Sequence, residues 1–181
     1  SISSAVIRKR TLSRSILSLG KNPSTMVQKI KNLDRIYTDQ QLLRLQEEID
    51  KHLVSHQAYP VVHFFSHKNP DNCFNLNFVR LDEAVSLLLD SKSKDESDSW
   101  GKEELQQLRS TMTHLLIHLK ENFSASLPKS ASTKIKHNEP IDYSDLVQRR
   151  IVLSSLLQSE GNYPRKRRRA RPPDHEEGGF C

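Results

Sequence analysis

Cys73-Phe74-Asn75-Leu76-Asn77-Phe78 alternates apolar and polar residues without a break. How this hexapeptide folds settles whether the chain contains any sheet. A period of two puts Phe74, Leu76 and Phe78 on one face of a strand and Asn75 and Asn77 on the other. Upstream, Val61-Val62-His63-Phe64-Phe65 is rich in β-branched and aromatic residues. Between the two runs, Asn69-Pro70-Asp71-Asn72 places its proline at a type I turn position. Together these stretches predict a β-hairpin at about residues 60–79.

On either side the periodicity is helical. Residues 2–19 set Ile2, Ala5, Leu12, Ile16 and Leu19 along one side, with Arg8, Arg10 and Arg14 flanking or opposing them and Lys9 interrupting the stripe. Gly20 ends that helix, and Asn22-Pro23-Ser24 starts a short one carrying Met26, Val27, Ile30 and Leu33. Thr38 with Gln41 reads as a capping box and Tyr37 with Leu42 as its hydrophobic staple. The third helix is therefore expected to begin there and run to about Val54, turning Leu42, Leu45, Ile49 and Leu53 to the core. After the hairpin, a helix is expected from about Leu81 to Leu89, then a solvated loop from Ser91 to Ser99. The longest helix runs from about Trp100, a packing anchor, to Phe123. In it Leu105, Leu108, Met112, Leu115 and Leu119 recur every three or four residues and draw one seam.

The expected fold is mainly α with one small β-hairpin, an α+β helical bundle with a disordered basic C-terminal tail. Its parts are a basic amphipathic arm (1–32), a helical core (33–123), a flexible Ser- and Lys-rich linker (124–140), a docking helix (141–160) and the tail (161–181). The docking helix, with Leu146, Val147, Ile151, Val152, Leu153, Leu156 and Leu157, is too apolar to stay exposed.

The order helix, short helix, turn, capped helix, hairpin over residues 2–79 resembles a winged helix, with residues 60–79 as the wing. That resemblance implies a DNA-binding module. Its third helix, however, carries Asp39, Glu47, Glu48 and Asp50 where a DNA reader needs Arg or Lys, which turns the expectation toward protein contacts.

Charge is distributed unevenly. Of 28 bases and 22 acids, residues 1–32 hold seven bases and no acid, and residues 161–181 hold six bases and three acids. The remainder, 15 bases and 19 acids, carries a net −4. Positive charge thus sits at the ends as electrostatic handles rather than across the folded surface. In the tail, Arg165, Lys166, Arg167, Arg168, Arg169 and Arg171, bounded by Pro172-Pro173, suit the acidic groove of a nuclear import receptor or the phosphates of a nucleic acid. In the arm, Arg8, Lys9, Arg10, Arg14, Lys29 and Lys31 are candidates for weak nucleic-acid contact. Residues 1–19 also have the Arg- and Ser-rich, acid-free composition of a mitochondrial presequence, but such a leader is cleaved from the mature chain.

Chemical motifs are sparse. Three histidine pairs stand at i, i+4 spacing: His52 with His56, His63 with His67, and His114 with His118. No CxxC or HExxH spacing completes a metal site, so no metal is expected. Two cysteines, Cys73 and Cys181, make no disulfide framework and fit a reducing compartment. There is no glycine-rich phosphate loop and no GxSxG elbow, so neither catalytic residues nor a cofactor are expected. No run approaches the roughly 18 apolar residues that cross a bilayer, so no membrane is expected among the partners. Ser93 and Ser97, set among acids, are candidate phosphorylation positions.

The sequence therefore implies a non-enzymatic nuclear interaction or scaffold segment, a regulatory subunit of a chromatin, replication, transcription or RNA-processing complex. Its partners would be proteins of that complex, an import receptor and, non-specifically, DNA or RNA. The partner or homodimer interface would use Leu105, Leu108, Met112, Leu115, Leu119, Ile151, Leu153 and Leu157. The alternatives are a winged-helix DNA-binding module and a viral or organellar RNA-associated factor.

Overall fold

A computed structural model describes residues 1–94, 101–123 and 140–159. Among these residues every regular element is helical. They are α1 (Ile2–Leu17), α2 (Pro23–Asn32), α3 (Arg35–Ala58), α4 (Phe74–Lys94), α5 (Lys102–Phe123) and α6 (Leu146–Ser159), with 3₁₀ turns at Pro60–Phe64 and Pro70–Asn72 between α3 and α4. The expected hairpin at 60–79 is overturned, and with it the wing that a winged helix requires.

The correction has a physical cause. Six alternating residues fit a strand, but the apolar series continues as Phe74, Phe78, Leu81, Val85 and Leu88, a spacing of four and three that only a helix keeps on one side. Asn75 and Asn77, expected at the surface, are buried inside that helix with hydrogen-bond partners. The Asn75 amide donates to the Leu156 carbonyl at 3.0 Å. That of Asn77 donates to the Ser13 hydroxyl at 2.9 Å and the Asp71 carbonyl at 2.8 Å.

The start of α3 also differs from expectation. Its cap is Asp34, whose Oδ1 accepts the Ile36 N–H at 2.9 Å. Thr38 lies inside the first turn, its hydroxyl donating to the Asp34 carbonyl at 3.1 Å, and Tyr37 is 64% exposed rather than stapled. Asn22 caps α2 through Thr25 N–H at 2.9 Å, with Pro23 in the first turn. Gly20, at φ +152°, makes the bend before it, where a Cβ would meet the Met26 nitrogen at 3.0 Å.

The core lies between α3 and α5, with α1 on α3 and α4, and α2 on α4. Leu105, Leu108, Met112, Leu115 and Leu119 are all buried in this chain's own core, as is Leu153. Ile151 is half-buried and Leu157 is exposed. The helix expected to dock does so within the chain, as α6 against α4 and α5. It is capped by Asp145, which accepts Val147 N–H at 2.7 Å. Trp100, Ser97, residues 124–139 of the linker and the whole basic tail lie outside the described residues.

A buried charge pair fixes α6. Arg149 is 1% exposed and forks onto Asp82 of α4, its Nε 3.0 Å from each carboxylate oxygen and its Nη2 2.6 Å from Oδ1. Its Nη1 donates to Thr113 of α5 at 2.7 Å. Arg109 approaches the same carboxylate at 2.8 Å. Such a planar fork supplies geometry that an apolar helix face lacks. Arg149→Met is expected to cost about 3–5 kcal/mol by removing the fork and leaving the buried Asp82 carboxylate with Arg109 as its basic partner, and Asp82→Leu a similar amount by leaving both guanidinium groups without it. The double variant should cost clearly less than the two losses added together. Urea midpoints for the four proteins check this, and simple additivity would show that the pair does not clamp α6.

Candidate functional site

The seven bases of residues 1–32 meet different fates in the fold. Lys9 turns inward and is buried, its ammonium donating to the carbonyls of Val62, His63 and Phe65 at 3.2, 3.0 and 3.0 Å. The remaining six are exposed. Arg8 donates to the Ser55 hydroxyl at 2.7 Å and Lys29 to the Ser18 carbonyl at 2.7 Å, while Lys21 stands 3.9 Å from Asp71. Arg10 and Arg14, one helical turn apart on α1, line an open groove of about 530 Å³ together with Leu17, Ser18, His67 and Asn72. Among the described residues neither guanidinium has an acidic partner within salt-bridge distance.

The far wall of the groove is irregular chain held by side chains. Ser13 donates its hydroxyl to the Asn72 carbonyl at 2.9 Å and accepts the Asn77 amide, which also holds the Asp71 carbonyl. The turn Pro70–Asn72 is thereby pinned between α1 and α4. His67 Nδ1 accepts the Asn69 N–H at 3.1 Å, so a neutral His67 carries its proton on Nε2, as a donor. Two guanidinium forks and an imidazole N–H bordering one open groove are donors suited to an anion with several oxygens, above all phosphate.

A second constellation lies inside the bundle. His56 of α3, His63 of the first 3₁₀ turn and His118 of α5 gather around Phe123, which stacks on His63 at a centroid distance of 4.4 Å, and His52 of α3 packs between His56 and Phe74. Asn122 donates its amide to the His118 carbonyl at 2.8 Å and to His118 Nδ1 at 3.2 Å. His118 therefore protonates at Nε2 and donates to His56 Nδ1 at 3.1 Å, which leaves the His56 proton on a buried, unpartnered Nε2. Both ring nitrogens of His52 are likewise buried without a partner. Burial, reinforced by the Lys9 charge, pulls the pKa of His52 down to about 3 and that of His63 to about 4. Burial and the neighbouring His52 pull His56 to about 2, and burial also lowers His118. All four are held neutral. Of the expected pairs, His52 with His56 stays together, whereas His63 separates from His67, which is at the groove, and His118 from the exposed His114. No three His, Cys, Asp or Glu groups among the described residues converge on a metal position.

The sequence did not signal Lys9 as a core residue, since a lysine within an apolar stripe looks like an interruption. Nor did it signal Asn77 as the bolt of the groove wall. The tail residues Arg165 to Arg169 and Arg171 lie outside the described residues. No family model matches the sequence, and no curated protein or solved structure is significantly similar to it.

Acid should unfold this protein steeply. His52, His56 and His63 titrate near 6.5 when unfolded and far lower when folded, so the unfolded chain binds the extra protons below that pH. Stability is fully present above pH 6.5 and falls as the pH drops toward 4, by about 1.4 kcal/mol per pH unit for each histidine. His52→Leu should remove one proton from that slope, read from urea midpoints across this range. A slope identical to that of the parent would show that His52 is not held neutral.

Proposed function

We propose that this chain is a non-enzymatic interaction segment of a nuclear assembly. It would hold protein partners while its basic groups reach an import receptor and the phosphates of DNA or RNA. The observation that carries the proposal is the groove between α1 and the turn at Pro70–Asn72, where Arg10 and Arg14 stand exposed and unpaired beside His67. Two unpaired guanidinium groups bordering an open groove supply phosphate-directed charge, which supports weak contact dominated by the nucleic-acid backbone. The histidine cluster takes no part in the proposed contact, because its imidazoles at positions 52, 56 and 63 are sealed in the core.

The protein-partner surface is narrower than the eight residues expected from sequence. The seam on α5 is occupied by the chain's own core, and Leu157, 39% exposed, with Leu146 and Val147 remains outward on α6. The tail from Arg165 to Arg171 carries the import role in this proposal.

Two outcomes test it. Arg10→Ala with Arg14→Ala should leave the circular dichroism melt unchanged and lower the salt slope of nucleic-acid affinity by roughly two. Alanines at Arg165, Lys166, Arg167, Arg168 and Arg169 should disperse a fluorescent fusion from the nucleus and flatten the slope further. An unaltered slope in the first and unaltered localisation in the second would refute the proposal.

A further inference from the structure

The Arg149 clamp that seats α6 also borders a cleft. It has a volume of about 550 Å³ and is lined by α4, α5 and the first turn of α6, together with Tyr143 and Ser144 just before that turn. Such a size is that of a small-molecule site. Leu89, Ile117 and Leu146 give it apolar walls, the first two half-buried and Leu146 exposed.

The charged groups at this cleft do not balance. Arg149 occupies both oxygens of Asp82 with its fork. Arg109 is a second claimant on that carboxylate. Its Nη1 is 2.8 Å from Oδ1, yet this nitrogen is buried and has no hydrogen-bond partner among the described residues. Its Nη2 donates to uncharged acceptors, the Asp82 carbonyl at 3.2 Å and the Ser86 hydroxyl. The neighbouring pair is already matched, with Arg150 forked onto Glu83 at 3.0 and 2.6 Å. Three guanidinium groups thus share two carboxylates. Burial pulls the Arg109 pKa below its ordinary value, and Asp82 opposes that pull. A largely buried cation with a shared partner is costly to keep charged, and one further negative charge offsets the cost. Asp90 stands exposed on the lining of the cleft, where its carboxylate disfavours a second negative charge such as that of a phosphate monoester.

The geometry points to a binding site for a small monocarboxylic acid, whose carboxylate pairs with Arg109 while its apolar body lies against Leu89, Ile117 and Leu146. The planar carboxylate matches the guanidinium fork, and a tail of several carbons covers walls that water otherwise wets. The site shares no residue with the groove of Arg10 and Arg14 and stands whether or not that groove meets nucleic acid.

The test separates charge from tail. The full chain is titrated with octanoate, with octanol as the same tail without charge, and with acetate as the charge without the tail, and backbone amides are followed by NMR. Octanoate should shift the amides of Leu89, Arg109, Ile117 and Leu146 saturably, with a Kd roughly tenfold below that of octanol, the worth of one charge-assisted hydrogen bond. Acetate should bind more weakly than octanoate by at least as much. Arg109→Gln should erase the preference for octanoate over octanol. Ser110→Glu adds a carboxylate at an exposed position of the lining, and should weaken octanoate roughly fivefold and octanol far less. Equal affinity for octanoate and octanol in the parent chain overturns the inference, as do shifts that map to Arg10 and Arg14 instead. So does a Ser110→Glu variant that binds octanoate as the parent does, or a preference that survives Arg109→Gln. The parent chain and Ser110→Glu decide the matter even where Arg109→Gln does not fold.

Discussion

The connection from Tyr59 to Cys73 crosses the fold with no strand to pair it, so the buried carbonyl capacity that its short 3₁₀ turns leave over must find partners among side chains. A buried backbone carbonyl left unpaired costs about as much as a lost hydrogen bond, and this segment has several in one place. Lys9 takes three of them, at Val62, His63 and Phe65. Ser13 and Asn77 take those of Asn72 and Asp71. Lys9 and Ser13 stand one turn apart on the same side of α1, which therefore serves as a polar template for a stretch of chain without regular pairing. Remove the template and the turns at Pro60–Phe64 and Pro70–Asn72 keep their own 3₁₀ hydrogen bonds and the Asn69 cap but lose their tie to α1.

Placing an ammonium group there constrains its neighbours. A second positive charge nearby would be repelled and poorly solvated, so the imidazoles facing the same pocket are stable only when neutral. The low pKa values of His52 and His63 reflect this environment, with burial the larger cause and Lys9 adding to it. Neutral histidine still carries one N–H, and the orientation of Asn122 propagates through His118 to leave that proton on a buried His56 nitrogen. The cluster is thus aromatic filling that tolerates an unpaired polar atom, and its stability depends on pH in a way that phenylalanine at the same positions would not.

Helix positions with a long apolar rhythm were legible in the sequence. Leu105 to Leu119 and Leu42 to Ile49 face the core as their spacing requires, because burial of apolar area dominates where many residues agree. The stretch from Cys73 to Phe78 was misread because six residues cannot distinguish a period of two from one of 3.6 when asparagines fill the gaps. The buried amides of Asn75 and Asn77 have partners at Leu156, Ser13 and Asp71, all remote in sequence or on another element. Local pattern contains no information about such partners. The groove was half legible. An excess of bases at the N-terminus marked Arg10 and Arg14 as exposed candidates, yet nothing in the spacing separated them from Lys9, which is structural.

That separation follows from helical geometry. Lys9 and Ser13 form one row on α1, and Arg10 and Arg14 form the next row, rotated by about 100°. The inner row is locked by backbone carbonyls, so the outer row inherits a fixed axis and a fixed distance from the turn that carries Asn72. Arginines mounted this way lose less conformational freedom on meeting an anion than arginines on a loose arm, and a larger share of their interaction is available as affinity. The same locking limits selectivity. A row of guanidinium groups fixed in this way matches phosphate spacing and charge before any base edge, so the contact it offers is weighted toward the backbone of a polyanion.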